Sequence, residues 1–206
     1  MQLYEDLVTI NRSSKLVGAI EAGILVPNVA NRLQGIRARR GDGTFGEIIP
    51  GETPIRDKGY VVARGKIATV EIGVEVKILA KAMIKQIDRV INDLRNQAVQ
   101  FRKSGQHAFC VAIVGINQSQ NYVSFEGRRS FSTTGRDGYL HPIQEAAEAE
   151  RRLLEHAASS FNEFLLFRFK TTNKKPYPFE WMDFDETRLN YAAALTRISS
   201  AFQQRL

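Results

Sequence analysis

The sequence predicts an α/β fold in which helices flank a mixed β-sheet. Three observations lead to this prediction. Apolar residues recur with helical spacing near both ends of the chain and between residues 79 and 103. Apolar runs typical of strands lie between these helices, at residues 67–78, 107–117 and 162–171. A strand, a helix and a second strand in succession favour parallel neighbours joined by a right-handed crossover.

We expect one domain over residues 1–206, made of a helical part (1–44), a core (45–117) and an α/β extension (118–206). The helical part begins with LYEDLVTI and SSKLVGAIEAGIL, and Ser13 or Ser14 suits the cap of the second helix. Pro27 and Asn28 indicate a break before ANRLQGIRARR, which is predicted to be helical again. The glycine-rich GDGTFGE that follows is predicted to be a loop.

In the core, residues 59–63 and 67–78 are predicted to form a β-hairpin around the turn 64–66. A long helix over about 79–103 and a strand buried on both faces at 107–117 complete the core.

The extension is predicted to start with a long polar loop at residues 117–140. A helix with Pro142 near its start, a strand at 162–171 and a last helix at about 185–204 follow. PYPFEW, before the last helix, is predicted to pack that helix onto the sheet, with a dimer surface as an open alternative.

The composition indicates the kind of partner and the cellular location to expect. The net charge of +7 and the pI of about 9.7 favour a polyanionic partner, nucleic acid first. The single cysteine, Cys110, lies in an apolar run and excludes an intrachain disulfide. With no secretory signal and no apolar stretch of membrane-spanning length, we expect a cytoplasmic protein.

The run VEIGVEVKIL, residues 70–79, places three charges in an otherwise apolar strand. Glu71, Gly73, Glu75 and Lys77 alternate along the strand and therefore share one face. A half-solvated strand is the ordinary interpretation, but Gly73 suggests a bulge or a close approach of another group. Paired carboxylates suit Mg²⁺, and an adjacent lysine suits the water or the negative charge of phosphodiester hydrolysis.

With a hairpin before it and a helix after it, Glu75-Val76-Lys77 resembles the (D/E)-x-K half of the PD-(D/E)xK nucleases. The resemblance covers about residues 45–117 and implies a restriction-endonuclease-like mixed sheet flanked by helices. It implies a DNA endonuclease that uses Mg²⁺, with Mn²⁺ as a substitute, in restriction or anti-phage defence. It also implies that Glu75 binds metal, that Lys77 positions the water and that Gln86, on the next helix, supports the site.

The Pro-Asp half of the motif is not found ahead of the predicted hairpin. Glu71, Asp57 and Glu47 are the candidates for the second metal-binding acid. Glu71 ranks first, although it lies roughly 13 Å from Glu75 on a straight strand and needs a kink at Gly73.

The expected nucleic-acid contacts are basic residues on the helices and in the long loop: Arg39, Arg40, Lys81, Lys85, Arg128 and Arg129. The resemblance implies a homodimer, because double-strand cleavage needs two active sites, and leaves room for a partner protein of a defence system. The main alternative is a non-catalytic nucleic-acid-binding or scaffold domain. A nucleotide enzyme using the glycines at 41, 43 and 46 is a third reading.

Overall fold

The structure is a computed structural model that describes residues 1–29, 43–126, 129–132 and 141–204, with residues 124–126 and 129–132 described by their backbone alone. The described helices are α1 (Gln2–Ile10), α2 (Ser14–Glu21), α3 (Met83–Ser104), α4 (Pro142–His156) and α5 (Phe184–Gln204). The described strands are β1 (Leu25–Pro27), β2 (Gly43–Glu47), β3 (Ile72–Leu79), β4 (Phe109–Asn117), β5 (Val123–Glu126), β6 (Arg129–Ser132), β7 (Glu163–Thr171) and β8 (Phe179–Trp181).

Six strands form one mixed sheet in the order β1-β2-β3-β4-β7-β8, so the predicted mixed α/β class is confirmed. β2 runs antiparallel to both of its neighbours, pairing Leu25 with Glu47 and Gly43 with Val74. β8 is the last strand at the other edge of the sheet and is antiparallel to β7. β5 and β6 form a separate two-stranded hairpin.

The chain divides into two compact units that each combine distant stretches of sequence. Unit 1 contains Met1–Glu75, Asn96–Val111 and Asn190–Leu206, and unit 2 contains Val76–Arg95 and Ala112–Leu189. The core of unit 1 includes fully buried side chains from its helices and strands: Leu7, Leu16, Ile20, Phe45, Ile72 and Phe101. Unit 2 has its own buried set: Leu79, Met83, Ile87, Val114, Ala149 and Leu165.

Several local predictions are confirmed by the structure. Ser13 caps α2 by accepting a hydrogen bond from the Leu16 backbone N–H at 3.1 Å. Pro142 occupies the first turn of α4, and His141 caps that helix through its Nδ1. β4 is buried on nearly its whole length, as its unbroken apolar run predicts. The apolar stripe of α3 is buried (Met83, Ile87, Val90, Ile91, Leu94 and Phe101), but the helix starts at Met83 rather than at 79, and Leu79 is the last residue of β3.

The predicted hairpin is wrong in its first strand. Residues 59–63 are not a strand, and the antiparallel partner of β3 is β2, inside the segment that was predicted to be a loop. The glycines of β2 explain the difference, because they serve close packing rather than a turn. A Cβ on Gly46 would lie 1.8 Å from the Thr69 carbonyl oxygen, so only glycine lets these two backbones approach.

Three further boundaries differ from the prediction. α2 ends at Glu21 rather than near Leu25, because Gly23 adopts a left-handed φ of 71° and the chain turns into β1. The predicted loop at 117–140 contains the β5–β6 hairpin. PYPFEW ends in β8, whose three side chains are all exposed, so this segment extends the sheet. The helix predicted for residues 30–40 lies outside the described residues.

Candidate functional site

β3 is the third of the six strands, and its first half is buried on both faces. Residues 72–75 are all buried, and Glu75 is only 5% exposed. Exposure rises along the strand, because Lys77 is half-buried and Ile78 is 62% exposed. The interpretation of this face of β3 as half-solvated is therefore wrong at Glu75. Its carboxylate is buried, unlike one in a solvent-exposed ion pair.

Gly73 marks a close approach and not a bulge. It pairs with Thr44 in an unbroken antiparallel register between the Gly43–Val74 and Phe45–Ile72 pairs. A Cβ at this position would lie 2.2 Å from the Phe101 ring, so the ring rests directly on the glycine. The sequence-based expectation of a close approach is confirmed, and the packing partner is an aromatic side chain of α3.

The Phe101 ring lies against the position between Glu71 and Glu75 on their shared face. The β2–β3 register is regular over Ile72–Val74, so Gly73 does not supply the kink that was expected to bring the two glutamates together, and Glu71 lies just before β3 begins. Glu71 instead lines an open cleft of about 720 Å³ in unit 1, together with Glu47 and His107. Glu71 and Glu75 thus belong to different surroundings.

The other two predicted acids have surroundings of their own. In the β2–β3 register, the Gly43 end of β2 lies near Glu75 and the Glu47 end lies farther away. Asp57 accepts two hydrogen bonds from Arg64, at 2.5 and 2.9 Å. This hydrogen-bonded guanidinium holds the pKa of the Asp57 carboxyl below its usual range.

The described residues do not complete a site for Mg²⁺. In the ranges that the structure describes, no group of three or more His, Cys, Asp or Glu side chains could hold a metal ion. Glu75 supplies one buried carboxylate, and a hard divalent cation needs further oxygen ligands.

One further acid precedes β2 in the sequence and was not among the predicted candidates. The residue before Gly43 in the sequence is Asp42, which lies outside the described residues. The next residue in the sequence, Gly43, pairs with Val74, the residue immediately before Glu75.

The connection between β3 and α3 is held by a polar network in unit 2. Asn117 donates from Nδ2 to the Ala80 carbonyl at 3.0 Å, and the Ala82 N–H donates to the Tyr122 hydroxyl at 3.1 Å. The Tyr122 hydroxyl donates to Glu145 Oε2 at 3.1 Å, and that oxygen also accepts from the Met83 N–H at 3.2 Å. The network fixes the chain just after Lys77 and satisfies the first amide of α3. Asn117, Tyr122 and Glu145 have no sequence motif that would have predicted this role.

Gln86 is half-buried in the first turn of α3. Its amide nitrogen lies 3.5 Å from the Lys81 carbonyl oxygen, and its amide oxygen accepts from Arg89 at 3.3 Å. Lys81 is half-buried and Lys85 exposed. Of the other predicted DNA contacts, Arg39, Arg40 and Arg128 lie outside the described residues, and Arg129 is described only as part of the β6 backbone.

No family model, curated protein or solved structure matches this chain. None of the helices within the described ranges is long and apolar enough to cross a membrane. The features that bear on function are therefore the chain's own: the strand order, the buried Glu75 and the half-buried Lys77 two residues later.

Proposed function

We propose that this chain is a metal-dependent DNA endonuclease with a restriction-endonuclease-like fold of the PD-(D/E)xK type. The observation that carries the proposal is Glu75-Val76-Lys77 on β3, a central strand of the mixed sheet, with the acid buried. An antiparallel strand pairs with β3, and α3 connects β3 to its next neighbour, β4. This is the arrangement of elements that the resemblance implies around the motif.

A buried carboxylate supports a functional role for this strand. Removing an ionised group from water is expensive, so such groups occur mainly in buried ion pairs and at functional sites. β3 could have been completed with a valine or isoleucine at position 75, as at positions 72, 74 and 76. Glu75 therefore lies where a structural strand would favour an apolar residue.

The proposal assigns roles to Glu75, Lys77 and Gln86. These roles do not require that the second metal-binding acid be known. Glu75 would be one metal ligand, and the ion would polarise the phosphodiester when bound. Lys77, at the more exposed end of the strand, would orient water or stabilise charge on the phosphate. Gln86 would hold the start of α3 beside that end.

The remaining ligand and partners are parts of the same proposal. The second acid is one of Glu71, Glu47 and Asp57 or the residue that precedes Gly43 in the sequence, Asp42. The basic residues named from the sequence would contact DNA, and a homodimer in a restriction or anti-phage setting would give double-strand cuts. The cytoplasm is the expected location.

A non-catalytic nucleic-acid-binding domain with the same fold is the second candidate. It is favoured by the separation of Glu71 from Glu75 by the Phe101 ring, and by the incomplete ligand set among the described side chains. Such a domain would bind DNA with the strong salt dependence of phosphate contacts and would need no metal.

Cleavage of supercoiled plasmid tests the proposal. The wild type is incubated with Mg²⁺, Mn²⁺ or EDTA beside Glu75→Gln, Lys77→Met and the surface control Glu148→Gln. We expect metal-dependent cutting that Glu75→Gln and Lys77→Met each reduce by roughly 100-fold or more. Glu148→Gln should cut like the wild type, because Glu148 forms an exposed ion pair with Arg151 on α4.

The same assay identifies the second acid and separates the two candidates. Asp42→Asn, Glu71→Gln, Glu47→Gln and Asp57→Asn are compared, and the true ligand is the one whose loss matches Glu75→Gln. Circular dichroism confirms that each variant is folded. If the folded wild type leaves plasmid intact yet binds it equally in Mg²⁺ and EDTA, the endonuclease proposal is wrong and the binding domain replaces it.

A further inference from the structure

A second cleft, entirely within unit 2, is not used by the proposed hydrolysis. It is open and measures about 640 Å³, a volume suited to a nucleotide-sized ligand. It is lined by residues from the segment after β4, the end of β7, the segment around β8 and the first turn of α4. The polar lining comes from Gln118, Ser119, Gln120, Asn121, Lys170, Thr171, Thr172 and Glu180, and the apolar lining from Ile143, Pro178, Phe179 and Met182.

The wall of this cleft is held by a buried asparagine whose amide group is fully hydrogen-bonded. Asn117 is fully buried, and its Oδ1 accepts from the backbone N–H groups of Ser119 and Thr171, each at 3.1 Å. Its Nδ2 donates to the Thr171 carbonyl at 2.8 Å. Ser119 Oγ adds two bonds to the Thr171 backbone, at 2.9 and 3.0 Å. The ends of β4 and β7 are thus locked together, and the cleft is preorganised.

One side of the cleft carries an aromatic ring that is held in place yet open to solvent. Phe179 stacks on the buried Phe169 with ring centroids 5.3 Å apart and an interplanar angle of 27°. Its other ring neighbour is Trp181, whose centroid is 4.9 Å away. Phe179 nevertheless remains 55% exposed. A fixed, exposed ring is suited to stacking with a planar ligand.

The surroundings of the ring are basic and rich in amides. Lys174 and Lys175, in the turn before β8, are exposed, and the described residues provide no ion pair for either. Lys170 forms an ion pair with the exposed Glu180 at 3.4 Å. Gln118, Gln120 and Asn121 each carry an amide donor and acceptor, the groups that pair with the edges of nucleobases.

We propose that this cleft binds single-stranded nucleic acid, with one base stacked on Phe179 and its edge facing the amide side chains. The phosphates would run past Lys174 and Lys175, as in other single-strand sites that combine a basic groove with an aromatic platform. A duplex fits less well, because its bases are already stacked and cannot offer a free face. Glu75 is not among the residues that line this cleft, and the proposal stands whether or not the chain cleaves DNA.

The amides and lysines also distinguish this occupant from a second copy of the chain. Interfaces between identical chains are apolar at their centre and depleted of charged residues there. Here the apolar side chains Phe179 and Met182 share the cleft with Lys170, Glu180 and three amides. The composition of the cleft thus favours nucleic acid over a second copy of the chain. The experiment must distinguish these two occupants.

The single tryptophan of the chain makes the test direct, because Trp181 lies beside Phe179. Oligothymidine, about 12 nucleotides long, is titrated into the protein in EDTA while tryptophan emission is recorded. Stacking of a base on Phe179 should give saturable quenching, and the same sequence as a duplex should bind at least 10-fold more weakly. Anisotropy of labelled oligothymidine measures the same affinity without relying on the tryptophan.

Three variants assign the binding to this cleft. By anisotropy, Phe179→Ala should weaken binding by roughly 5- to 150-fold, the range for one lost stacking contact. Phe184→Ala is the matched control, because Phe184 is 62% exposed but does not line the cleft. Glu180→Gln should tighten binding, since it removes a carboxylate that lines the cleft. Replacing Lys174 and Lys175 by glutamine should reduce the salt slope by roughly 1.4.

Two results would overturn the inference. The first is an affinity that falls equally for Phe179→Ala and Phe184→Ala, or no binding by either method. The second is a tryptophan spectrum that changes with protein concentration alone, which would show that a second copy covers the cleft. Because all measurements are made in EDTA and can be repeated with Glu75→Gln, an absence of nuclease activity does not affect them.

Discussion

At the scale of one residue, position 73 explains why a glycine lies between the two glutamates of the charged strand. The glycine lacks a side chain because the Phe101 ring occupies the space where a Cβ would be. The neighbouring same-face positions carry Glu71 and Glu75, so the ring lies against the position between these two residues. A glycine between two acids was thus a packing signal.

Replacing this glycine should be costly. A Cβ at 2.2 Å from the Phe101 ring forces a fully buried side chain to move, so Gly73→Ala should lower the free energy of unfolding by about 1–3 kcal/mol. Urea denaturation measures the change. The matched control is Gly18→Ala in α2, where a new Cβ meets nothing within 4 Å and should raise stability by up to about 1 kcal/mol.

A second variant tests the cause. Phe101→Leu replaces the ring by a smaller side chain and should offset part of the stability loss when it is combined with Gly73→Ala. The double variant should therefore be less destabilised than the sum of the two single changes. Equal effects of Gly73→Ala and Gly18→Ala would contradict the close contact.

At the scale of elements, the connection from β3 to α3 is the part that positions the proposed site. It has little regular structure of its own, and Ala82 adopts a left-handed φ of 47°. The connection is held from outside by Asn117, Tyr122 and Glu145. Strain in Ala82 is thus offset by hydrogen bonds that come from β4, the segment after it and α4.

Relieving that strain should stabilise the protein. Ala82→Gly removes the clash of a Cβ in the left-handed region and should raise the free energy of unfolding by about 0.5–1 kcal/mol. Ala193→Gly, at an exposed position inside α5, is the control and should lower it by about 1 kcal/mol. If both variants lose stability equally in urea denaturation, Ala82 is not strained.

At the scale of the whole molecule, the single cysteine links folding to pH. Cys110 is fully buried in β4, and burial raises the pKa of its thiol. In the unfolded chain the thiol ionises near pH ~8.5. Above that pH the folded state holds a proton that the unfolded state has lost, so this contribution to stability decreases as pH rises.

We therefore expect the free energy of unfolding to fall between about pH 8 and 9.5, and to fall less steeply in Cys110→Ala. Burial also raises the pKa of Tyr4, whose effect has the same sign but starts near its ordinary pKa of about 10. Tyr4→Phe is thus the control that should leave the slope below pH about 9.5 unchanged. Identical slopes for the wild type and Cys110→Ala would contradict the expectation.

Much of the architecture could be predicted because it depends on local periodicity. The stripe of α3, the continuous apolar run of β4, the capping residue Ser13 and the first-turn Pro142 each have signals within a few residues. The partner of β3 could not be predicted in this way. β2 is short and glycine-rich, and its glycines are explained only by the Thr69 carbonyl that approaches Gly46.

The sequence by itself determined the α/β class, the positions of the long helices and the presence of an acid and a lysine on one strand. Only the tertiary structure decided which acids lie together, because distance across a sheet depends on strand register and not on sequence separation. The register and the Phe101 ring separate Glu71 from Glu75. The cleft around Phe179 likewise exists only after β4, β7 and β8 meet, since its lining residues are far apart in the chain.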